Sequence, residues 1–165
     1  YLDCTFADIT WKSGVDILSF GATKNGAFCA EAIIYFNNYL SENIEYYRKR
    51  GGHLISKMRF ISAQLNSYIE TGIWEKNARH ANDMASFLSE SLKSIKGVKV
   101  VYPVQSNAVF VNLSDEVVKR LFNQGFNFSF WGDKSERIYR IMISFNTPRE
   151  SIIDLVQAIK KESKG

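Results

Sequence analysis

One lysine stands out by its surroundings. Lys24 lies among small residues, between a largely apolar run at residues 15–18 and a second at residues 30–36. Burial between two strands disfavours a charged ammonium, and a desolvated lysine amine is the nucleophile that forms Schiff bases with carbonyl compounds. The alternative is an ordinary β-hairpin whose turn is formed by Asn25 and Gly26, a strong turn signal. The spacing alone leaves both interpretations open.

An arginine in the middle of a predicted strand is the second candidate. Arg140 lies between Tyr139 and Ile141, in a run that extends from residue 138 to residue 145. A buried guanidinium is costly unless it is paired, and an α-carboxylate fits its planar fork with two hydrogen bonds. The alternative is a strand arginine in a salt bridge on an exposed face. Arg137, nearer the turn, is expected to be solvated.

The elements around Lys24 are predicted to be two strands followed by a helix. Both apolar runs are continuous, which favours a sheet that is covered on both faces. From residue 40 to residue 68 apolar residues recur at three- and four-residue steps, which is typical of an amphipathic helix. Gly51 and Gly52 interrupt this pattern, and each costs about 1 kcal/mol relative to alanine. We therefore expect a kink or a break there.

Residues 71–165 alternate between helix and strand patterns, and Thr71-Gly72 is the candidate domain boundary. The predicted order is helix, strand, strand, helix, strand, strand, helix, which favours an α+β unit with a mainly antiparallel sheet. Ser114 is expected to cap one helix. Residues 147–150 read as a capping box, with Pro148 at the first helical position of the last helix.

Composition narrows the class of protein. The chain has 165 residues, of which 45% are apolar and 23% charged, as is ordinary for a globular protein. Its 21 basic and 17 acidic residues give a net charge of +4 without the basic stripe of a nucleic-acid-binding protein. Cys4 and Cys29 indicate reduced thiols in a cytoplasmic protein, and no apolar run suits a membrane helix. His53 and His80 share no metal-ligand spacing, so no metal site is expected.

Three blocks of sequence resemble a known enzyme family. Residues 16–26, which read Asp-Ile-Leu-Ser-Phe-Gly-Ala-Thr-Lys-Asn-Gly, closely resemble the lysine motif of low-specificity threonine aldolases. Residues 48–60 look like the segment that follows in one branch of that family, and residues 140–145 look like its arginine strand. These aldolases belong to the β-eliminating lyases, which are pyridoxal-phosphate enzymes with the aspartate-aminotransferase fold. The three blocks occur in the family's order and together span most of the chain.

The resemblance implies a role for each candidate residue. Lys24 would carry pyridoxal 5'-phosphate as a Schiff base, and Thr23 could hydrogen-bond a phosphate oxygen, although a strand-end hydroxyl bonded to the backbone is an equal alternative. Arg140 would bind the substrate's α-carboxylate. Arg59, in a Met-Arg pair similar to one in the family, would lie near the cofactor phosphate, with Lys57 as its competitor because the family's preceding glycine-rich run is replaced here by residues 53–57.

The implied reaction is the retro-aldol cleavage of threonine, or of another β-hydroxy amino acid, to glycine and an aldehyde. Two alternatives remain open: a β-eliminating lyase acting on an aromatic or sulfur amino acid, and a non-catalytic binding or assembly segment. The resemblance also implies a homodimer or homotetramer.

The family places its lysine motif past the middle of a longer polypeptide. We therefore expect residues 1–70 to be the C-terminal part of the large cofactor-binding domain, built from two strands and a long helix. Residues 71–165 would form the small α+β domain. The family's aspartate for the pyridine nitrogen, its glycine-rich phosphate loop and its ring-stacking histidine all lie upstream of its lysine motif. This segment alone is therefore expected to be inactive, and to need the N-terminal half of its enzyme.

Overall fold

The two apolar runs around Lys24 form a two-stranded antiparallel hairpin in the computed structural model, which describes residues 2–163. Strand β1 (Ile17–Gly21) pairs with strand β2 (Glu31–Tyr35), from Ile17 opposite Tyr35 to Gly21 opposite Glu31. The predicted β-hairpin around Lys24 is therefore confirmed. Ile17, Ile33 and Ile34 remain 38–61% exposed. The sheet covered on both faces that the apolar runs predict is thus not formed.

The predicted helix of residues 40–68 is broken where its two glycines lie. Helix α1 (Ile44–Arg50) ends just before Gly51, and helix α2 (Met58–Glu70) begins after a non-helical stretch. Gly52 has a φ of 74°, a left-handed conformation that glycine adopts without steric cost and that no α-helix contains. The expected break is confirmed. The single long helix is corrected to two shorter ones.

A small apolar cluster holds the N-terminal unit together. Ala22 and Ala30 flank the connection between the strands and are 0% and 1% exposed, and Tyr68 of α2 is 4% exposed. Phe20 and Trp74 pack against them, with Trp74 in the first turn of helix α3 (Ile73–Leu92). The connection that carries Lys24 is therefore packed against α2 at both of its ends.

The C-terminal unit is built on a four-stranded antiparallel sheet. Its strands are β3 (Lys99–Val100), β4 (Ala108–Asn112), β5 (Ser129–Trp131) and β6 (Ile138–Met142), and their spatial order is β3-β4-β6-β5. Helix α4 (Asp115–Asn123) joins β4 to β5, and helix α5 (Arg149–Glu162) follows β6. The predicted order of helices and strands and the antiparallel sheet are both confirmed.

One face of this sheet forms the main core of the chain. Alternate residues of β4 and β6 point to that face because successive side chains of a strand lie on opposite sides. They pack against apolar residues of α3, α4 and α5. The largest fully buried side chains of this core are Leu88, Leu92, Val109, Val111, Leu113, Leu121, Ile152 and Ile159.

The two predicted helix caps have different outcomes. The Ser114 hydroxyl accepts a hydrogen bond from the Val117 amide at 3.3 Å, so the cap of α4 is confirmed. The capping box of the last helix is wrong. The Thr147 hydroxyl accepts its hydrogen bond from the amide of Ser144, in the turn before the helix, and Pro148 takes the capping position without a side-chain hydrogen bond.

The chain divides into two compact units, residues 2–76 and residues 77 onward. The division lies in the first turns of α3, and the predicted boundary between residues 70 and 71 stays a prediction. Among residues 2–163, no helix combines the length and the apolar character needed to cross a membrane.

Two neighbouring isoleucines of α5 test the position of the core. Ile152 is 2% exposed and Ile153 is 37% exposed. We expect Ile152→Ala to lower the free energy of unfolding by about 2–5 kcal/mol, since it removes buried methyl groups and leaves a cavity. Ile153→Ala has the same effect on helix propensity and should cost less than about 1 kcal/mol. Urea unfolding followed by circular dichroism measures both, and equal losses would contradict this description of the core.

Candidate functional site

Lys24 lies at the centre of the connection between β1 and β2. We call residues 22–30 the lysine loop; it contains a 3₁₀ turn, Thr23–Asn25, followed by Gly26 in a left-handed conformation with a φ of 119°. The Lys24 side chain is exposed, and within residues 2–163 its ammonium has no hydrogen bond or ion pair. The desolvated setting that the sequence suggested is therefore absent, and the amine is open to a carbonyl compound.

Asn25 anchors the lysine loop from the residue next to Lys24. Its amide nitrogen donates to the Tyr68 hydroxyl on α2, and to the carbonyl of Trp74 at 2.8 Å. Burial raises the pKa of Tyr68, the hydrogen bond from Asn25 opposes this, and the negative charge of Glu31 adds to it. The sequence analysis predicted only a turn role for Asn25. No local sequence signal indicated its contact with Tyr68, which lies far along the chain.

Gln64 anchors the other end of the lysine loop. Its side-chain oxygen accepts hydrogen bonds from the amides of Phe28 at 3.0 Å and Cys29 at 3.1 Å. Its amide nitrogen donates to the carbonyl of Phe60, one turn earlier in α2, at 3.1 Å. The helix therefore satisfies two loop amides that have no strand partner. Sequence inspection missed this residue as well.

The Thr23 hydroxyl is hydrogen-bonded to the backbone, which is the structural alternative that the sequence analysis gave beside a phosphate contact. Its hydroxyl accepts a hydrogen bond from the Ala30 amide at 3.2 Å and lies 3.5 Å from the Ala30 carbonyl, to which it donates. These bonds close the lysine loop together with the backbone bond from Ala22 to Ala30 at 3.0 Å. The hydroxyl is thus engaged across the loop.

Arg140 lies on the face of the sheet opposite the core. In the register of the sheet it stands between Phe110 of β4 and Ser129 of β5. Its guanidinium carbon is 5.1 Å from the centre of the Trp131 ring, and its Nε is buried without a hydrogen-bond partner in the chain. A buried polar atom without a partner costs about 1–3 kcal/mol, so this guanidinium is suited to an external acceptor.

Arg137 behaves as the sequence predicted. Its side chain is 56% exposed, and its Nε is 3.9 Å from a carboxylate oxygen of Asp115. Asp115 also accepts a hydrogen bond from the Tyr139 hydroxyl at 3.0 Å. Burial raises the pKa of Tyr139, the hydrogen bond and charge of Asp115 raise it further, and Arg137 opposes them. The Asp115 carboxylate is therefore engaged by both Arg137 and Tyr139.

Arg59 and Lys57, the two candidates for a phosphate contact, lie at the start of α2. Arg59 is exposed, and its guanidinium carbon is 5.1 Å from the centre of the Phe60 ring. Lys57 is exposed at the capping position of the helix. Neither makes a hydrogen bond or ion pair to the lysine loop within residues 2–163. Their cofactor roles stay predictions.

The remaining polar candidates do not form a site of their own. His80 is hydrogen-bonded through Nε2 to the Thr147 carbonyl at 2.7 Å, and Cys4 and Cys29 are exposed free thiols. No cluster of three or more metal-ligating side chains occurs in the described part of the chain. Of the predicted site residues, Lys24 and Thr23 share the lysine loop, Arg59 belongs to the same unit, and Arg140 belongs to the other.

Comparison with curated proteins identifies the relatives of this chain. It is 40% identical, over 161 residues, to the low-specificity L-threonine aldolase of Pseudomonas sp. (strain NCIMB 10558). A second enzyme of the same name, from Pseudomonas aeruginosa, is 38% identical over 161 residues. Nearly the whole chain is therefore similar to two low-specificity L-threonine aldolases. The resemblance of its three sequence blocks is thereby confirmed, although no protein-family model matches the sequence.

The chain spans about half the length of the curated relatives it matches. Each alignment covers 97% of the chain and 46% of the relative. The activity, substrates and partners of the full-length relatives are therefore only proposed for this chain.

Solved structures agree with the aldolase relationship. A Leishmania major threonine aldolase matches 98% of the chain and 46% of its own length, with a TM-score of 0.86 and 27% sequence identity. The structure of Oryza sativa TDC with PLP and tryptamine matches 93% of the chain, with a TM-score of 0.66 and 13% identity. The second likeness shows the fold alone. At this level the predicted fold, a part of a threonine-aldolase-type enzyme with helices and antiparallel sheets, is confirmed.

The contact between Gln64 and the lysine loop can be tested by amide exchange. We expect Gln64→Ala to speed up hydrogen exchange at Phe28 and Cys29 about two- to tenfold, since each loses a hydrogen bond with a net value of about 0.5–1.5 kcal/mol. Gln64→Glu keeps the acceptor and should leave both amides protected. Nuclear magnetic resonance gives the rates residue by residue. Unchanged protection in Gln64→Ala would disprove the anchoring role.

Proposed function

We propose that this chain is part of a pyridoxal-phosphate-dependent aldehyde-lyase. The enzyme cleaves threonine or another β-hydroxy amino acid to glycine and an aldehyde. The observation that carries the proposal is the similarity of nearly the whole chain to two enzymes named low-specificity L-threonine aldolase. The geometry of Lys24 and of Arg140 supports it, each within its own unit.

The lysine loop suits an amine that holds an aldehyde cofactor. Lys24 is exposed, and the chain around it is fixed by Asn25 on one side and by the contacts of Gln64 on the other. A fixed backbone with an exposed side chain lets the Lys24 nitrogen reach a carbonyl carbon without reorganisation of the loop. Pyridoxal phosphate supplies, when bound, an electron sink for the electrons of the broken carbon–carbon bond.

Arg59 and Thr23 are the two residues proposed to contact the cofactor phosphate, and the structure favours Arg59 more than Thr23. Arg59 is exposed and free of ion pairs within residues 2–163, so its guanidinium is open to a phosphate oxygen. Thr23 would have to give up its bond to the Ala30 carbonyl to donate to a phosphate. That bond is long at 3.5 Å, so the exchange costs little.

Arg140 is proposed to bind the α-carboxylate of the substrate. A planar guanidinium grips a carboxylate with two parallel hydrogen bonds, which fixes its orientation as well as its position. Within residues 2–163 no carboxylate pairs with Arg140, whereas Arg137 has Asp115. The residue that removes the proton from the β-hydroxyl is not among the assigned residues of this chain.

The remaining features of the proposal rest on the resemblance to the family and on the two free cysteines, Cys4 and Cys29. The chain would act in the cytoplasm, together with the half of its enzyme that precedes the lysine motif in the family. It would act within a homodimer or a homotetramer.

A product assay tests the reaction class. The complete enzyme that contains this chain, supplied with pyridoxal phosphate and threonine, should yield glycine and acetaldehyde in equal amounts. Pyruvate and ammonia from an aromatic or sulfur amino acid as the main products would instead establish the β-eliminating alternative. Failure to bind the cofactor would leave the binding or assembly alternative.

The role of Lys24 can be tested without an activity assay. Borohydride reduction in the presence of pyridoxal phosphate should attach the cofactor to Lys24, and mass spectrometry of the peptides would locate it. Lys24→Ala should abolish this labelling, whereas Lys96→Ala, which removes an exposed lysine of the other unit, should leave it unchanged. Equal labelling of the Lys24→Ala protein would disprove the assignment.

The role of Arg140 predicts a change in substrate affinity. Arg140→Ala should weaken binding of the amino acid by about 1.5–3 kcal/mol, the value of a hydrogen bond to a charged group. That corresponds to a rise in KM of roughly ten- to 150-fold. The matched control is Arg137→Ala, which removes an exposed ion pair and should change KM much less. An unchanged KM in Arg140→Ala would rule the role out.

A further inference from the structure

A row of aromatic rings lies on the same face of the C-terminal sheet as Arg140. Phe110, Ser129, Trp131 and Arg140 all lie on this face. The Trp131 ring is 5.2 Å from the Phe110 ring, which in turn is 5.4 Å from the Tyr102 ring. Trp131 is therefore packed on one side against a neighbouring ring, and the centre of its own ring is 5.1 Å from the Arg140 guanidinium carbon.

The strand register explains why Trp131 reaches the guanidinium. Ser129 lies directly opposite Arg140, and Trp131 lies opposite Ile138, so Trp131 is the diagonal neighbour of Arg140 on that face. Diagonal neighbours in an antiparallel pair are within reach of aromatic and long side chains. Ser129 is small, so it leaves the space beside Arg140 open for the tryptophan ring.

The ring contact is the restraint that this chain supplies to the guanidinium. Within residues 2–163 Arg140 makes no ion pair, and its buried Nε has no hydrogen-bond partner. The Asp115 carboxylate contacts Arg137 and accepts a hydrogen bond from the Tyr139 hydroxyl. A cation–π contact uses the charge of the guanidinium and the electron-rich ring, so it does not by itself require the N–H donors.

We propose that Trp131 is a positioning residue for Arg140. Its ring holds the guanidinium in place before substrate arrives and leaves the N–H edge for a carboxylate. A preorganised guanidinium loses less conformational entropy when the carboxylate binds, so the ring strengthens substrate binding without touching the substrate. This inference rests on the proposed role of Arg140 as the carboxylate ligand.

The test compares Trp131→Leu with Phe130→Leu in the active enzyme with bound cofactor. Phe130 is the adjacent residue, is similarly exposed at 39% against 42%, and packs on the opposite face against Tyr139, with ring centres 5.7 Å apart. We expect Trp131→Leu to raise KM for threonine about two- to thirtyfold with kcat little changed, as the strength of a cation–π contact implies. Trp131→Phe should restore most of the affinity, and Phe130→Leu should leave KM near the wild-type value.

A second readout reports on the contact itself. The Trp131 ring current should displace the side-chain proton resonances of Arg140 in nuclear magnetic resonance spectra, and Trp131→Leu should remove that displacement. If the displacement is already absent in the wild-type protein, the contact does not exist and the inference is wrong.

The outcomes separate this inference from the proposed function. A normal KM in Trp131→Leu, with a raised KM in Arg140→Ala, would overturn the positioning role and leave the carboxylate role in place. A normal KM in both variants would overturn the carboxylate role as well. An equal rise in Phe130→Leu would assign the effect to damage of β5, and would also overturn the inference.

Discussion

The two-sided character of β6 is the constraint on which the C-terminal unit depends. Its residues alternate between the core and the opposite face, so Tyr139 and Ile141 are buried in the core while Arg140 is not, and Ile143, directly after the strand, continues the buried series. A shift of one residue in the pairing with β4 would place the guanidinium in the core and isoleucines outside it. The apolar side of the strand therefore fixes the register, and the register fixes where the arginine points. A functional group placed in this way is as rigid as the core behind it.

The lysine loop is fixed by a different kind of interaction. It has few apolar side chains to bury, and its backbone and small side chains are instead held by polar contacts with α2 and the start of α3, from Gln64, Tyr68 and Trp74. These bonds satisfy loop groups that have no strand partner. The amine of Lys24 stays free while the chain on both sides of it is fixed. An exposed lysine on a rigid backbone is suited to covalent capture of a carbonyl compound.

Arg137 and Arg140 lie three positions apart in sequence but have different charged surroundings. Arg137 lies 3.9 Å from a carboxylate oxygen of Asp115, whereas Arg140 lies over Trp131 and has no carboxylate partner within residues 2–163. An unpaired guanidinium is costly when partly buried, and a bound anion would offset that cost, as the proposed carboxylate role requires. In the same proposal Trp131 attracts the cation without using its hydrogen-bond donors.

The sequence by itself determined the order of helices and strands in the C-terminal unit, the break at Gly51-Gly52 and the cap at Ser114. These follow from local rules: the period of apolar residues, the conformations open to glycine and the capping preference of serine. The local pattern around Lys24 and Arg140 left alternatives open, and their proposed roles come from the resemblance of the sequence blocks to the aldolase family. Only the tertiary structure decided that Lys24 is exposed, that the Thr23 hydroxyl closes its own loop, and that Thr147 serves a turn and not a helix cap. The same holds for the contacts of Asn25 with Tyr68 and of Arg140 with Trp131. Each of these depends on which partner lies nearby after folding, and a pattern read along the chain contains no distance between residues that are far apart in sequence or lie on separate strands.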